Sequence, residues 1–233
     1  AGIAAACVSG VLGIGSPRVF ADDENPCMEC HAEEDITAER HGVEVSAYVD
    51  RKAYGRSAHA DLECTDCHQD LDGLDDMHDE ELEPVDCSMC HDDVLEVFQH
   101  SIHGAEWLAE NPLAPHCWDC HGAHDIRPPA DPASAVNRFN IPVMCGNCHK
   151  EGAPVERFYD IPQDSILTHY QQSIHGEGLF RRGLTISAVC IDCHTAHEVR
   201  DHNDPQSSIH RDNVAQMCQE CHGRIEQVHV QRR

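Results

Sequence analysis

Fourteen of the fifteen cysteines fall into seven pentapeptides of one form, C-x-x-C-H. The residues are Cys27, Cys30 and His31; Cys64, Cys67 and His68; Cys87, Cys90 and His91; Cys117, Cys120 and His121; Cys145, Cys148 and His149; Cys190, Cys193 and His194; and Cys218, Cys221 and His222. This spacing is the attachment signature of c-type haem. Two thiols one turn apart add across the two vinyl groups of a single haem. The histidine that follows then lies under the ring plane and ligates iron through an imidazole nitrogen. Zinc ribbons also use C-x-x-C, but they do not need a histidine directly after every second cysteine. A thioredoxin-like motif would occur once, inside a βαβ pattern, and a disulfide framework would not repeat one spacing seven times. The implied cofactor is therefore haem c, seven groups covalently attached.

The sixth ligand of each iron is the next question. Beyond the seven proximal histidines, thirteen others stand against five methionines. Met28 and Met89 lie inside attachment motifs, and Met144 and Met217 immediately precede them. The balance favours bis-histidine coordination and low-potential haems, because methionine ligation raises the potential. An internal repeat picks out the histidines. Ser101-Ile102-His103-Gly104 places His103 14 residues before Cys117, and Ser173-Ile174-His175-Gly176 places His175 15 before Cys190. His124 and His197 follow the proximal histidines of those motifs at the third position. Asp131-Pro132-Ala133-Ser134 and Asp204-Pro205-Gln206-Ser207 occupy matching places, and the next motif begins 24 residues past the proximal histidine in both copies. A shorter first unit runs Ser57-Ala58-His59-Ala60, Cys64 to His68, His78, Cys87 to His91. The expected distal ligands are His59, His78, His103, His124, His175 and His197.

Motifs and placed histidines alternate along the chain, beginning and ending with a motif, so one haem is left over. His229, seven residues after His222, is the nearest downstream candidate; His41 and His210 are the others within the chain, and a partner chain is a further source. His100 and His169 suit hydrogen bonds to haem propionates. His116 adjoins Cys117 too closely to reach the same iron, and His202 reads as a surface residue.

The repeat Ser-x-His-Gly, C-x-x-C-H-Gly-x-His, Asp-Pro-x-Ser and Asn-Ile-Pro-x-x-Cys-Gly-x-Cys-His is carried here by Ser101 to Gly104, Cys117 to His124, Asp131 to Ser134 and Asn140 to His149. It resembles the multihaem cytochromes of the cytochrome c3-like and NapC/NrfH-related superfamily, over roughly residues 40–222. The resemblance implies a periplasmic or extracellular electron carrier linked to quinol oxidation at the membrane. Two departures stand out: Ala60 replaces the glycine, and Thr195 stands where the other copy has Gly122.

The elements that position these groups are expected to be modest. Only 11 aromatic residues accompany a formal charge of −26, from 16 basic and 42 acidic residues. So acidic a chain excludes a nucleic-acid partner, which needs a basic face. The acidic field instead suits encounter with a basic or membrane-attached redox partner. A chain so poor in large apolar side chains needs porphyrin faces to fill its interior and thioethers to tie it down. The expected fold is mostly irregular with short α-helices wrapped around a haem chain, with little or no β-sheet. Helical runs are predicted at Asp92–His103 and at Ser165–His175, the second capped by Ser165; Pro128, Pro129, Pro132 and Pro205 enforce loops.

Residues 1–21 are read as a signal peptide, cleaved before Asp22, or an N-terminal anchor. Cys7 inside that stretch is a poor candidate for lipid attachment. A three-haem segment over 22–91 and two-haem repeats over 92–149 and 150–233 follow. The acidic run around Asp70–Asp76 and Asp79–Glu81 reads as a solvated face before a calcium site. Two functions stay open. The first is an electron carrier, periplasmic or extracellular and either free or held at the membrane. It would serve redox proteins such as a quinol-oxidising complex or another multihaem cytochrome, with self-assembly as a further option. The alternative is a reductase or oxidase of a small nitrogen or sulfur compound at one open haem.

Overall fold

The structure is a computed structural model that describes residues 25–40, 42–73, 78, 82–159 and 165–230; the side chains of Arg40 and of residues 224–230 are not among those described. The signal-peptide segment, Cys7, His41, the side chain of His229 and most of the acidic run from Leu74 to Glu81 therefore lie outside the described residues. The chain forms two compact units. One comprises the residues up to Asp92 together with Ala123–Ile126; the other comprises Asp93–Gly122 and the residues from Arg127 onward.

Unit one holds α1 (Cys27–His31), the hairpin β1 (Thr37–Arg40) and β2 (Val43–Ser46), α2 (Arg51–Tyr54) and α3 (Cys64–Cys67). Short 3₁₀ turns follow at Gln69–Leu71 and Cys87–Met89. The strands pair antiparallel with Thr37 opposite Ser46 and Arg40 opposite Val43. Gly42 at the turn has φ 77°, a left-handed conformation that glycine adopts without a Cβ clash. Asp50 starts α2, its carboxylate accepting from the amides of Lys52 and Ala53. The hydroxyl of Tyr54 at the end of α2 donates to the carbonyls of His59 and Leu62, at 3.2 and 2.6 Å, and so clamps the turn that presents His59.

Unit two opens with α4 (Asp92–Phe98), α5 (Ile102–Leu108) and α6 (Cys117–His121). It continues through α7 (Ile141–Gly146), α8 (Pro154–Phe158), α9 (Ile166–Gln172), α10 (Ile174–Arg182), α11 (Cys190–His194) and α12 (Val214–Val230). The two predicted helical runs are each broken near their ends, and the reason is the same serine. Ser101 and Ser173 adopt extended backbone and accept the amides of Gly104 and Gly176, so each starts a new helix where the preceding one stops. Ser165 occupies the first cap position of α9, but its side chain makes no capping bond. The glycine of each motif is required by close approach. A Cβ on Gly104 would stand 2.0 Å from the carbonyl oxygen of Phe98, and one on Gly176 2.0 Å from that of Tyr170. Ser57-Ala58-His59-Ala60 forms a turn rather than a helix start, so Ala60 meets no such constraint.

Protein side chains alone build a small core. Ile141, Leu179 and Val189 are 3, 1 and 1% exposed, and Cys145, Tyr170, Cys190 and Ile191 pack around them. Among the described residues the fold is thus mostly short helices and irregular chain with one two-stranded sheet. No helix among the described residues is long and apolar enough to cross a membrane.

Candidate haem sites

Five of the seven C-x-x-C-H segments form a short helical turn of their own or, for Cys87–Met89, a 3₁₀ turn, and the remaining two ride on α7 and α12. Three of them carry aspartate between the cysteines, and its carboxylate reaches back to the amide before the first cysteine. Asp66 takes Glu63 at 2.8 Å, Asp119 takes His116 at 2.7 Å and Asp192 takes Val189 at 2.6 Å. Each closes the first turn of α3, α6 and α11 as a capping box closes a helix. None of the fourteen motif cysteines is in a disulfide. No group of three or more His, Cys, Asp or Glu side chains among the described residues forms a site for a bare metal ion.

The histidines come together in pairs. His31 faces His78 with ring centres 5.9 Å apart, His59 faces His91 at 6.0 Å and His68 faces His124 at 6.2 Å, all within unit one. In unit two His103 faces His149 at 6.0 Å, His121 faces His197 at 6.0 Å and His175 faces His222 at 6.1 Å. Every pair joins one histidine of a C-x-x-C-H motif to one placed by the repeat. The separation is too wide for ring stacking in contact, yet it matches two imidazoles sharing one iron. Two metal–nitrogen bonds of about 2 Å, with about 1 Å from each nitrogen to its ring centre, set the centres about 6 Å apart. The residues therefore fit haem c: two thiols and a proximal histidine on one segment, and a second imidazole on the far side.

Supporting bonds orient the rings. Nδ1 of His31 lies 2.7 Å from the carbonyl of Ala47, which as the donor side of the ring leaves Nε2 as the free lone pair. Burial, and for the first three the facing ring (His91, His149 and His68), holds His59, His103, His124, His149 and His194 below the ordinary histidine range. They are thus neutral, the form that ligates.

The pairing follows a rule along the chain. A histidine that precedes an even-numbered motif faces the proximal histidine of the next motif: His59 goes to His91, His103 to His149, His175 to His222. Histidines that follow an even-numbered motif reach backward: His78 to His31, His124 to His68, His197 to His121. His222, for which His229 was the nearest downstream candidate, faces His175. The proximal histidine with no imidazole opposite it among the described residues is His194. His210 instead takes the amide of Asp212 on its Nδ1, at 3.3 Å. His116 stacks on Trp118 at 4.5 Å.

Two further regularities were not read from the sequence. Arg127 bonds Asp131 at 2.9 Å, Ser134 donates to the Arg127 carbonyl, and the Asn140 amide holds the carbonyls of Pro132 and Ser134. Arg200, Asp204, Ser207 and Asn213 make the same knot. Each knot ends five residues before an attachment cysteine, Cys145 or Cys218, and so places α7 and the start of α12. The signal was present as arginine four residues before each Asp-Pro. Attachment sites also lie near one another. Cys27 bonds Cys64 in unit one and Cys145 bonds Cys190 in unit two, where Cys120 lies within electrostatic reach of Cys148 and Cys193 of Cys218 and Cys221.

No curated protein and no solved structure matches this chain. Residues 56–150, about two-fifths of the sequence, match the family model described as cytochrome c3. That segment spans Ser57 to His149, including four C-x-x-C-H motifs and the placed histidines His59, His78, His103 and His124. The match and the attachment motifs together mark a multihaem c-type cytochrome, a protein of electron transport that binds haem c covalently.

Proposed function

We propose that this chain is a heptahaem c-type cytochrome that carries electrons outside the cytoplasm, in the periplasm or beyond it, in quinol-linked respiration. The observation that carries this reading is the set of six imidazole pairs, each 5.9–6.2 Å between ring centres and each including the histidine of an attachment motif. Bound haem would supply one-electron chemistry at iron; at six of the seven motifs the chain offers two imidazoles, which would leave no position there for substrate. The proximity of successive attachment sites supports a serial path, from the fourth motif through the fifth and sixth to the seventh. The small protein core supports porphyrin faces as the interior. The charge of −26 supports a basic or membrane-attached redox partner.

The test is a count and a spectrum. Intact mass of the matured chain should exceed the polypeptide by seven haems, surviving acid–acetone extraction. Electron paramagnetic resonance of the oxidised protein should be dominated by low-spin bis-imidazole signals, and His103→Ala should add one high-spin haem. Six or fewer haems in fully matured protein, or a His103→Ala spectrum identical to the parent, would defeat the reading. A second reading, reduction of a small nitrogen or sulfur compound, draws on one observation: His194 has no facing imidazole among the described residues.

A further inference from the structure

The two repeats in the middle of the chain interlock in one way, seen twice. Within unit one, the amide of Ala58 in Ser57-Ala58-His59 donates to the carbonyl of Ile126 at 2.6 Å, two residues past His124. In unit two the amide of Ile102 in Ser101-Ile102-His103 donates to the carbonyl of Val199 at 2.8 Å, two residues past His197. The segment that accepts this bond is the same one that sends its histidine backward, His124 to His68 and His197 to His121. One docking event thus completes two features of an earlier repeat: the open amide beside Ser-x-His, and the imidazole facing the even-numbered motif.

The third copy of this arrangement has the receiving half alone. Ser173-Ile174-His175 repeats Ser101-Ile102-His103, and Ser173 caps α10 as Ser101 caps α5. Yet the amide of Ile174 has no acceptor among the described residues, and Ile174 is 82% exposed where Ile102 is 41% exposed. His194, the third member of the series His68, His121, His194, has no facing imidazole among the described residues. Two independent features are therefore unmatched in the same repeat, and they are the two that a following segment completes in the earlier ones.

We propose that Ile174 and His194 form a docking site for a segment of the type C-x-x-C-H-x-x-His, carried by a further haem-binding unit outside these 233 residues. Its histidine would ligate, opposite His194, the iron of a haem attached through Cys190 and Cys193. Its backbone carbonyl, two residues further on, accepts the amide of Ile174. A second copy of this chain is a poor occupant. Its own segments of this type, at His124 and His197, are engaged internally, and no other motif in the sequence is followed by histidine at the third position. The occupant is thus a multihaem cytochrome segment, and its arrival would join its haem to the row of attachment sites that runs from the fourth motif to the seventh. The inference rests on the haem reading of the motifs given above.

The experiment uses the matured full chain, with its haem count measured first, so that failure of the haem reading shows as mass and failure of the docking site shows as spin state. One haem of seven should be high-spin and should bind one carbon monoxide per chain when reduced. The probe is an acetylated peptide of residues 122–129 of this chain, whose single imidazole is that of His124. It should convert the high-spin haem to low-spin at a concentration at least tenfold below that needed with free imidazole, and its His124→Ala form should do nothing. Ile174→Pro removes only the amide, since proline is accepted at the first position of a helix and Ser173 is already extended (ψ 161°). That variant should bind the peptide no better than imidazole. His197→Ala should raise carbon monoxide binding to two per chain. Seven haems by mass with all of them low-spin would overturn the proposal. So would a peptide that binds no better than free imidazole, or turnover of nitrite or hydroxylamine at this iron with no response to the peptide.

Discussion

Single residues set how firmly each imidazole is held. The Tyr54 hydroxyl bonds two carbonyls of the turn around His59, and burial, with the carboxylates of Glu63 and Asp66 near it, raises its pKa from 10.0 to about 12. A value raised on folding means the protonated phenol stabilises the fold. That contribution is whole below pH 10 and is lost as pH climbs through about 12. Alkaline titration should therefore loosen the haem of His59 and His91 in this window, read as loss of its low-spin signal. Tyr54→Phe should weaken that site already at neutral pH and remove the alkaline step; a step unchanged in the variant would exclude Tyr54. Thr195, next to His194, has φ 65° and ψ 170°, a region that is essentially glycine's, and Gly122 occupies the matching place with φ 81°. Such strain costs on the order of 1–3 kcal/mol, partly offset by the chain entropy of glycine, so Thr195→Gly should stabilise unit two by about 1 kcal/mol. Thermal unfolding that moves down rather than up would contradict this.

At the scale of elements, the serine and glycine of Ser-x-His-Gly act together. Serine ends the incoming helix and starts the next, and glycine lets the backbone of the incoming helix pass close behind the new first turn. A Cβ at Gly176 would meet the oxygen of Tyr170 at 2.0 Å and Cα of Gln171 at 2.8 Å, both backbone atoms that cannot swing aside. Gly176→Ala should cost about 1–3 kcal/mol, in the range of overpacking, and should shift part of the His222 haem to high spin by displacing His175. Ala60→Gly should leave the spin state of the His91 haem unchanged, because no helix starts there. Equal effects at both positions would mean the close approach is not what selects glycine.

Over the whole molecule, charge governs encounter. With 42 acidic against 16 basic residues, electron transfer to a basic partner should be steered by long-range attraction. Its bimolecular rate should fall steeply between 0.01 and 1 M salt, as the Debye length shrinks from about 30 Å to about 3 Å. Stopped-flow mixing with a basic and an acidic redox protein of similar potential checks this. A basic partner whose rate is flat with salt would remove the acidic field from the account of encounter.

The chain's covalent chemistry was legible from residue types alone, because thioether attachment is a local event needing two thiols and a histidine in five consecutive residues. The fold class was legible for a related reason: so few aromatic and large apolar residues cannot build a conventional core, and short helices with irregular connections follow. The breaks at Ser101 and Ser173 were not, since apolar periodicity runs straight through both, and only the close passage of Phe98 and Tyr170 behind the next helix explains the glycines. Repeat spacing singled out His59, His78, His103, His124, His175 and His197 but was silent on which motif each would face. Alternation along the chain left the seventh motif as the odd one; in space His175 reaches forward to His222, while His197 reaches back to His121. His194 is thereby the one left over. That choice belongs to tertiary structure, because a facing imidazole is brought up by the fold from 46 to 76 residues away in unit two and not by its neighbours in sequence. Spacing of residues determined what each site is made of; the path of the backbone between repeats decided which histidine faces it.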